Sequence, residues 1–202
     1  MKKFSVLVVL TLAVVLLAGN ALAQNVGDKS VFFVTYYSNA NTEGAPNAVL
    51  RLINDGGAST AQVEGRPNGN LWASIYVFDD SQELQECGSC FISADGLLSE
   101  WVNGELTGNT ETGRVPTRGV IKVISSSNDD PTNNKLVAGI HGTQTHIQYA
   151  APVAPYLITE TPLADSNLVS AEQQALQQSC SFAITLGSGQ GTISCTYEDE
   201  DF

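Results

Sequence analysis

The chain has 202 residues, 43% of them hydrophobic and 15% charged, with 21 acidic side chains against 9 basic ones and a net charge of −12. That excess of negative charge repels nucleic acid and anionic membrane surfaces, so neither is expected as a partner. The length suffices for one sizeable core and one domain.

The first residues, MKKFSVLVVLTLAVVLLAGNALA, combine Lys2 and Lys3, an apolar run from Phe4 to Ala18, and the small-x-small triplet Ala21-Leu22-Ala23. This three-part design predicts a signal peptide over 1–23. The apolar core is short for a membrane span. Asn20 stands where a lipoprotein box would need cysteine. The expected product is an exported chain over 24–202, secreted or held at the cell surface, with no membrane span after cleavage. Loss of Lys2 and Lys3 leaves it more acidic still.

Beyond the leader the pattern has period two. Val31, Phe32, Phe33, Val34, Thr35, Tyr36 and Tyr37 form a β-branched and aromatic run, apolar on both faces. Ala48–Ile53 is a second strand, closed by the turn Asn54-Asp55-Gly56-Gly57. Leu71–Phe78 is a third, stopped by Asp79-Asp80. Short strands are expected near Phe91, over Leu97–Val102 and over Tyr156–Thr161. Gly119–Ser125 and Leu136–Tyr149 flank a polar loop and read as a long-looped hairpin. One short helix is predicted from Ser170 to about Ser179, with Ser170 as N-cap and Gln173 completing a capping box. The fold class expected is all-β, a two-sheet sandwich of immunoglobulin-like or jelly-roll-like type with one helix near the C-terminus; a closed barrel is the alternative.

At the C-terminus, Cys180–Leu186 and Thr192–Tyr197 alternate, with both cysteines on the apolar set. A two-residue turn at Gly187-Ser188 would set Cys180 opposite Cys195, ready for a cross-hairpin disulfide. A four-residue turn would break that register. The other two cysteines lie in ECGSC, Glu86 to Cys90. A redox role lacks the surrounding βαβ pattern, and Glu86 would raise a neighbouring thiol pKa. A zinc site would need Cys180 and Cys195, whose spacing is far wider than that of common zinc motifs. The structural reading remains: a tight Cys87–Cys90 loop bent at Gly88-Ser89, or crosslinks from each to the C-terminal cysteines. Cys87 and Cys90 differ in parity, so a straight strand would point them to opposite faces.

Other candidates have plain readings. His141 and His146 lie five apart on one strand and face opposite ways, a poor ligand pair. GSGQG, 187–191, lacks the lysine of a phosphate loop. Asp79-Asp80 and Asp129-Asp130 lack the alternating spacing of a calcium loop. No catalytic constellation, cofactor motif or metal set is visible, so an enzyme is not expected.

Several stretches together, NLWASIYVFDDSQELQEC, the ECxSC pair, ADGLLSEWVNGELT, PTRGVIKVIS, and the late helix followed by C-x-F, GSGxG and Cys, resemble a family of uncharacterised secreted bacterial β-rich proteins. Its members often carry a further cysteine beside the first of the pair, where this chain has Gly88. The resemblance implies export and a β-rich fold, and it carries no established function.

The function expected is that of a structural or surface subunit. A strand at Val31–Tyr37, so close to the predicted mature N-terminus, could complete a neighbour's sheet and build a filament head to tail. The alternative is a binding module for glycans or surfaces, with Trp72 and Trp101 as stacking candidates.

Overall fold

The computed structural model describes residues 31–58, 69–151 and 154–195. The predicted signal peptide, 1–23, and Tyr197 of the expected hairpin lie outside them. The described chain contains eight strands and one helix: β1 (Phe32–Ser38), β2 (Val49–Asn54), β3 (Leu71–Asp79), β4 (Leu84–Ile92), β5 (Leu97–Trp101), β6 (Arg118–Ser126), β7 (Ile140–Ala150), β8 (Ala154–Pro162) and α1 (Ser170–Thr185). Two antiparallel four-stranded sheets, ordered β1-β6-β3-β4 and β5-β2-β7-β8, pack face to face. The two-sheet sandwich is the fold.

Strand alternation sorts side chains between two cores. Along β3, Leu71, Ala73, Ile75 and Val77 face the partner sheet together with Ile121 and Val123 of β6, and they pack against Leu50, Leu52 and Ile140 of that sheet. Tyr76 belongs to the opposite face, where α1 covers it: Phe32, Tyr76, Cys87 and Ile124 pack with Leu176, Cys180 and Ala183. The molecule therefore has three layers: helix, first sheet, second sheet. This explains why β3 reads as nearly continuous apolar sequence, being covered on both sides.

The structure corrects the C-terminal reading. Cys180–Thr185 is the last part of α1, not a strand, and there is no hairpin. Leu176, Cys180 and Ala183 recur at helical spacing and are the buried face, so period 3.6 overrides an accidental alternation. Val169, not Ser170, is the N-cap, and no side chain caps the helix. The expected capping box does not form. Gln173 instead donates to Asn134 Oδ1 at 2.9 Å, as Gln177 does at 3.0 Å. Asn134 in turn donates to the Tyr76 hydroxyl at 2.7 Å. This buried amide docks the helix on the sheet.

Of the two structural readings of ECGSC, the crosslinks from each cysteine to the C-terminal pair are found and the bent loop is not. The motif lies in the uninterrupted strand β4, paired with β3 from Leu71↔Ile92 to Val77↔Glu86, and no bend joins Cys87 to Cys90. The expected long-looped hairpin does not form either: β6 and β7 lie in different sheets, and the second strand begins at Ile140, with Leu136 making only an isolated bridge to Ser126.

Candidate assembly strand and its stapled frame

Cys87 bonds Cys180 and Cys90 bonds Cys195. The Cys180–Cys195 bond expected from the hairpin does not exist, because Cys180 is on a helix above one face and Cys195 is in a tail at the strand's edge. The parity argument holds: Cys87 enters the helix-side core and Cys90 the inter-sheet core. Two disulfides suit an oxidising compartment.

The tail itself closes the outer edge of β4. Cys87 N–H donates to Gly191 O, and Ile193 N–H to Cys87 O, at 2.8 and 2.9 Å. Gly88 is required by closeness, not by bending. A Cβ there would stand 2.8 Å from Ile193 Cβ and 3.0 Å from Ile193 O. Asn109 holds the same tail: its side-chain amide donates to Gly189 O and Thr192 O, and its carbonyl accepts from Gly191 N–H.

At the opposite side of this sheet, β1 pairs with β6 over seven positions, from Phe32↔Ile124 to Ser38↔Arg118. Val31 O accepts from Ser125 N–H. Odd residues of β1 therefore turn their backbone groups toward β6, and even residues turn theirs to the outer edge. The start of that edge is met by the segment after β8: Phe33 bridges Asp165, and Ser166 N–H donates to Phe32 O at 2.8 Å. Side chains follow the same alternation. Phe33 and Tyr37 are buried between the sheets, and Phe32 is buried under the helix. Val34 and Tyr36 are exposed. Burial pushes the Tyr37 hydroxyl well above its ordinary pKa, and it donates to Phe78 O at 3.1 Å. Ser38 and Asn39 side chains donate to Ile147 O, which ties the end of β1 to the second sheet.

The remaining sequence candidates are scattered. His146 is buried, stacked on the Tyr36 ring at 4.2 Å, with Nε2 2.8 Å from Thr161 Oγ1. Desolvation holds its pKa below the ordinary value, opposed by a hydrogen bond with the Tyr36 backbone. His141 is exposed and pairs with Asp55 at 3.1 Å. The two histidines share no site. Trp72 packs edge-on against Phe91 in the first sheet, while Trp101 is half-exposed in the second. They form no common platform. Asp79 is a turn organiser whose carboxylate accepts from Ser81 N–H, Glu83 N–H and Gln85 Nε2. Asp80 pairs with Arg118 at 2.7 Å. Asp130 accepts from Thr132.

Among the described residues, one group has the proximity of metal ligands: Cys90, Glu100 and Cys195, with donor atoms within 4.8 Å. The two sulfurs are bonded to each other, so neither offers the thiolate a metal needs. Sequence reasoning missed a more telling group. Glu86 is fully buried, and desolvation pushes its pKa up to about 7, against the lowering effect of the Asn109 N–H donated to its Oε1 at 2.7 Å. Glu86 points inward because it shares parity with Cys90, a signal present in the sequence.

Compared with family models, with curated proteins and with solved structures, the chain has no match.

Proposed function

We propose that the protein is an exported structural subunit of the cell surface that assembles head to tail by exchanging β1. The observation that carries this reading is the seating of β1. It is the first described strand, bordered by β6 on one side and at its start by Asp165-Ser166 on the other, with Phe33 and Tyr37 sunk between the sheets and Phe32 under the helix. It connects to β2, in the opposite sheet, through residues 39–48. Within that connection Asn39 and Asn41 adopt left-handed backbone conformations, φ 56° and 53°, which asparagine enters more readily than most residues. An identical strand from a neighbour would meet the same partners, so exchange preserves every contact and changes only the connection. The disulfide-held tail on β4 keeps the rest of the sheet intact while β1 leaves.

Electron microscopy of the mature protein tests this, with a locked variant as control. Val34 and Lys122 are opposed, in a pair whose parity places their Cα atoms about 4.5 Å apart. Val34→Cys with Lys122→Cys should fasten β1 in its own sheet, abolish filaments, and restore them on mild reduction. A wild-type protein that stays monomeric at high concentration overturns the reading.

A further inference from the structure

Sheet edges are the places where one chain recruits another, and native proteins usually blunt them. Two of the four edges of this sandwich are short or covered, and a third is covered at its start. The edge of β4 is paired with the tail at Gly191–Ile193. The start of β1 is covered by Asp165-Ser166. β5 has only five residues, and at its end Trp101 N–H donates to the Glu105 carboxylate while Trp101 O accepts from Leu106 N–H. The fourth edge, β8, is nine residues long, and among the described residues no backbone hydrogen bond reaches its outer side.

The register shows which groups that edge presents. β7 and β8 pair as Thr143↔Pro162 through Tyr149↔Tyr156. Leu163 N–H donates to the directly opposite Gly142 O. Odd residues of β8 are therefore bonded to β7, and Tyr156, Ile158 and Glu160 turn their N–H and C=O groups outward. Leu157 is 50% exposed and Ile158 60%, with Thr159 and Glu160 also exposed. Exposed apolar side chains on an open strand of this length are a pairing surface.

We infer that β8 pairs antiparallel with β8 of a second copy, centred on Ile158, joining two second sheets into one eight-stranded sheet. The occupant follows from symmetry. With Ile158 opposite Ile158, Tyr156 meets Glu160 and Leu157 meets Thr159, so every outward donor faces an outward acceptor. Pro155 and Pro162 bracket the segment, and the missing N–H of Pro162, which has outward parity, ends the ladder at the register where it would meet Ala154. The one charge on the seam is already compensated: Glu160 pairs with Arg51 at 3.0 Å and accepts from Thr143 Oγ1. The two Glu160 carboxylates would lie four residues apart along the seam, roughly 13 Å, beyond the Debye length at physiological salt. Five residues a side make a small interface, below the roughly 1,000 Å² of stable complexes. The dimer is therefore a weak, reversible contact that becomes strong where subunits are already arrayed.

Single cysteines test the register, since all four native cysteines are in disulfides. Under mild oxidation of the full mature chain, Ile158→Cys should crosslink to itself. Leu157→Cys and Thr159→Cys should crosslink poorly alone and at least fivefold better when mixed. Equal crosslinking by all three variants, alone or mixed, means random collision and overturns the proposal. Amide exchange gives a second reading: Tyr156, Ile158 and Glu160 should exchange fast in dilute protein and slow at least tenfold on concentration. Slow exchange at high dilution would mean that the chain covers this edge itself, which also overturns it. Running both in the Val34→Cys, Lys122→Cys background separates this contact from exchange of β1, because the β8 pairing should survive the lock.

Discussion

Cys87 and Cys90 stand three residues apart on one straight strand and send their disulfides to opposite faces of the same sheet, one to a helix and one to the terminal tail. The spacing that resembles a redox motif is thus a two-sided staple. Each bond closes a long loop, with sequence separations of 93 and 105. On the chain-entropy account, loops of that size contribute about 4–5 kcal/mol each, an upper range that native strain and residual structure reduce. Replacing either pair by serine should cost about 2–5 kcal/mol, read as a lowered denaturation midpoint. Peptide mapping without reduction should recover 87 with 180 and 90 with 195.

Glu86 should make stability depend on pH in an unusual direction. Its folded pKa, about 7, lies above the ordinary 4.5. Between these values the folded chain holds a proton that the unfolded chain has released, so stability falls as pH rises from about 4.5 to about 7 and is fully present below that window. Glu86→Gln should remove this dependence and should stabilise the protein above pH 7, by about 1–3 kcal/mol. Denaturant midpoints of wild type and variant across pH 4–8 give the difference.

Gly88→Ala should destabilise the protein. In a strand, alanine in place of glycine ordinarily helps by restricting the unfolded chain. Here the new methyl group would meet Ile193 at 2.8 Å, and the tail must shift. A loss of about 1–3 kcal/mol is expected, in the range of overpacked cores. The Cys90–Cys195 bond should become more accessible to reductant, while Cys87–Cys180 should not. Reductant titration with mass readout distinguishes the two.

Leu176 is the central contact of α1 with the first sheet and is 2% exposed. Leu176→Ala should cost about 2–5 kcal/mol without breaking the Cys87–Cys180 bond. Thermal melting measures the loss, and peptide mapping checks the bond.

The sandwich was legible because strand signals are local. Runs such as Val31–Tyr37 and Leu71–Phe78 carry β-branched and aromatic residues between turn formers, and they fold where the pattern places them. The C-terminal region was not legible in the same way. Cys180–Leu186 satisfies a two-residue alternation and a helical spacing together, and the choice falls to what lies beneath: the apolar outer face of the first sheet, with Phe32, Tyr76 and Ile124. The capping box failed for a related reason. Gln173 has a better partner in Asn134, 39 residues away in sequence.

Local pattern sufficed for the strand-rich class, the turns at 54–57 and Asp79-Asp80, the opposed faces of Cys87 and Cys90, and the apolar strand at Val31–Tyr37, since each depends on residues within one element. Only the tertiary structure shows the disulfide partners, the burial of Glu86, the covering of β4 by the tail, and an outer β8 edge that no described residue pairs. Those depend on which elements meet across tens of residues, and period and propensity carry no information about that meeting.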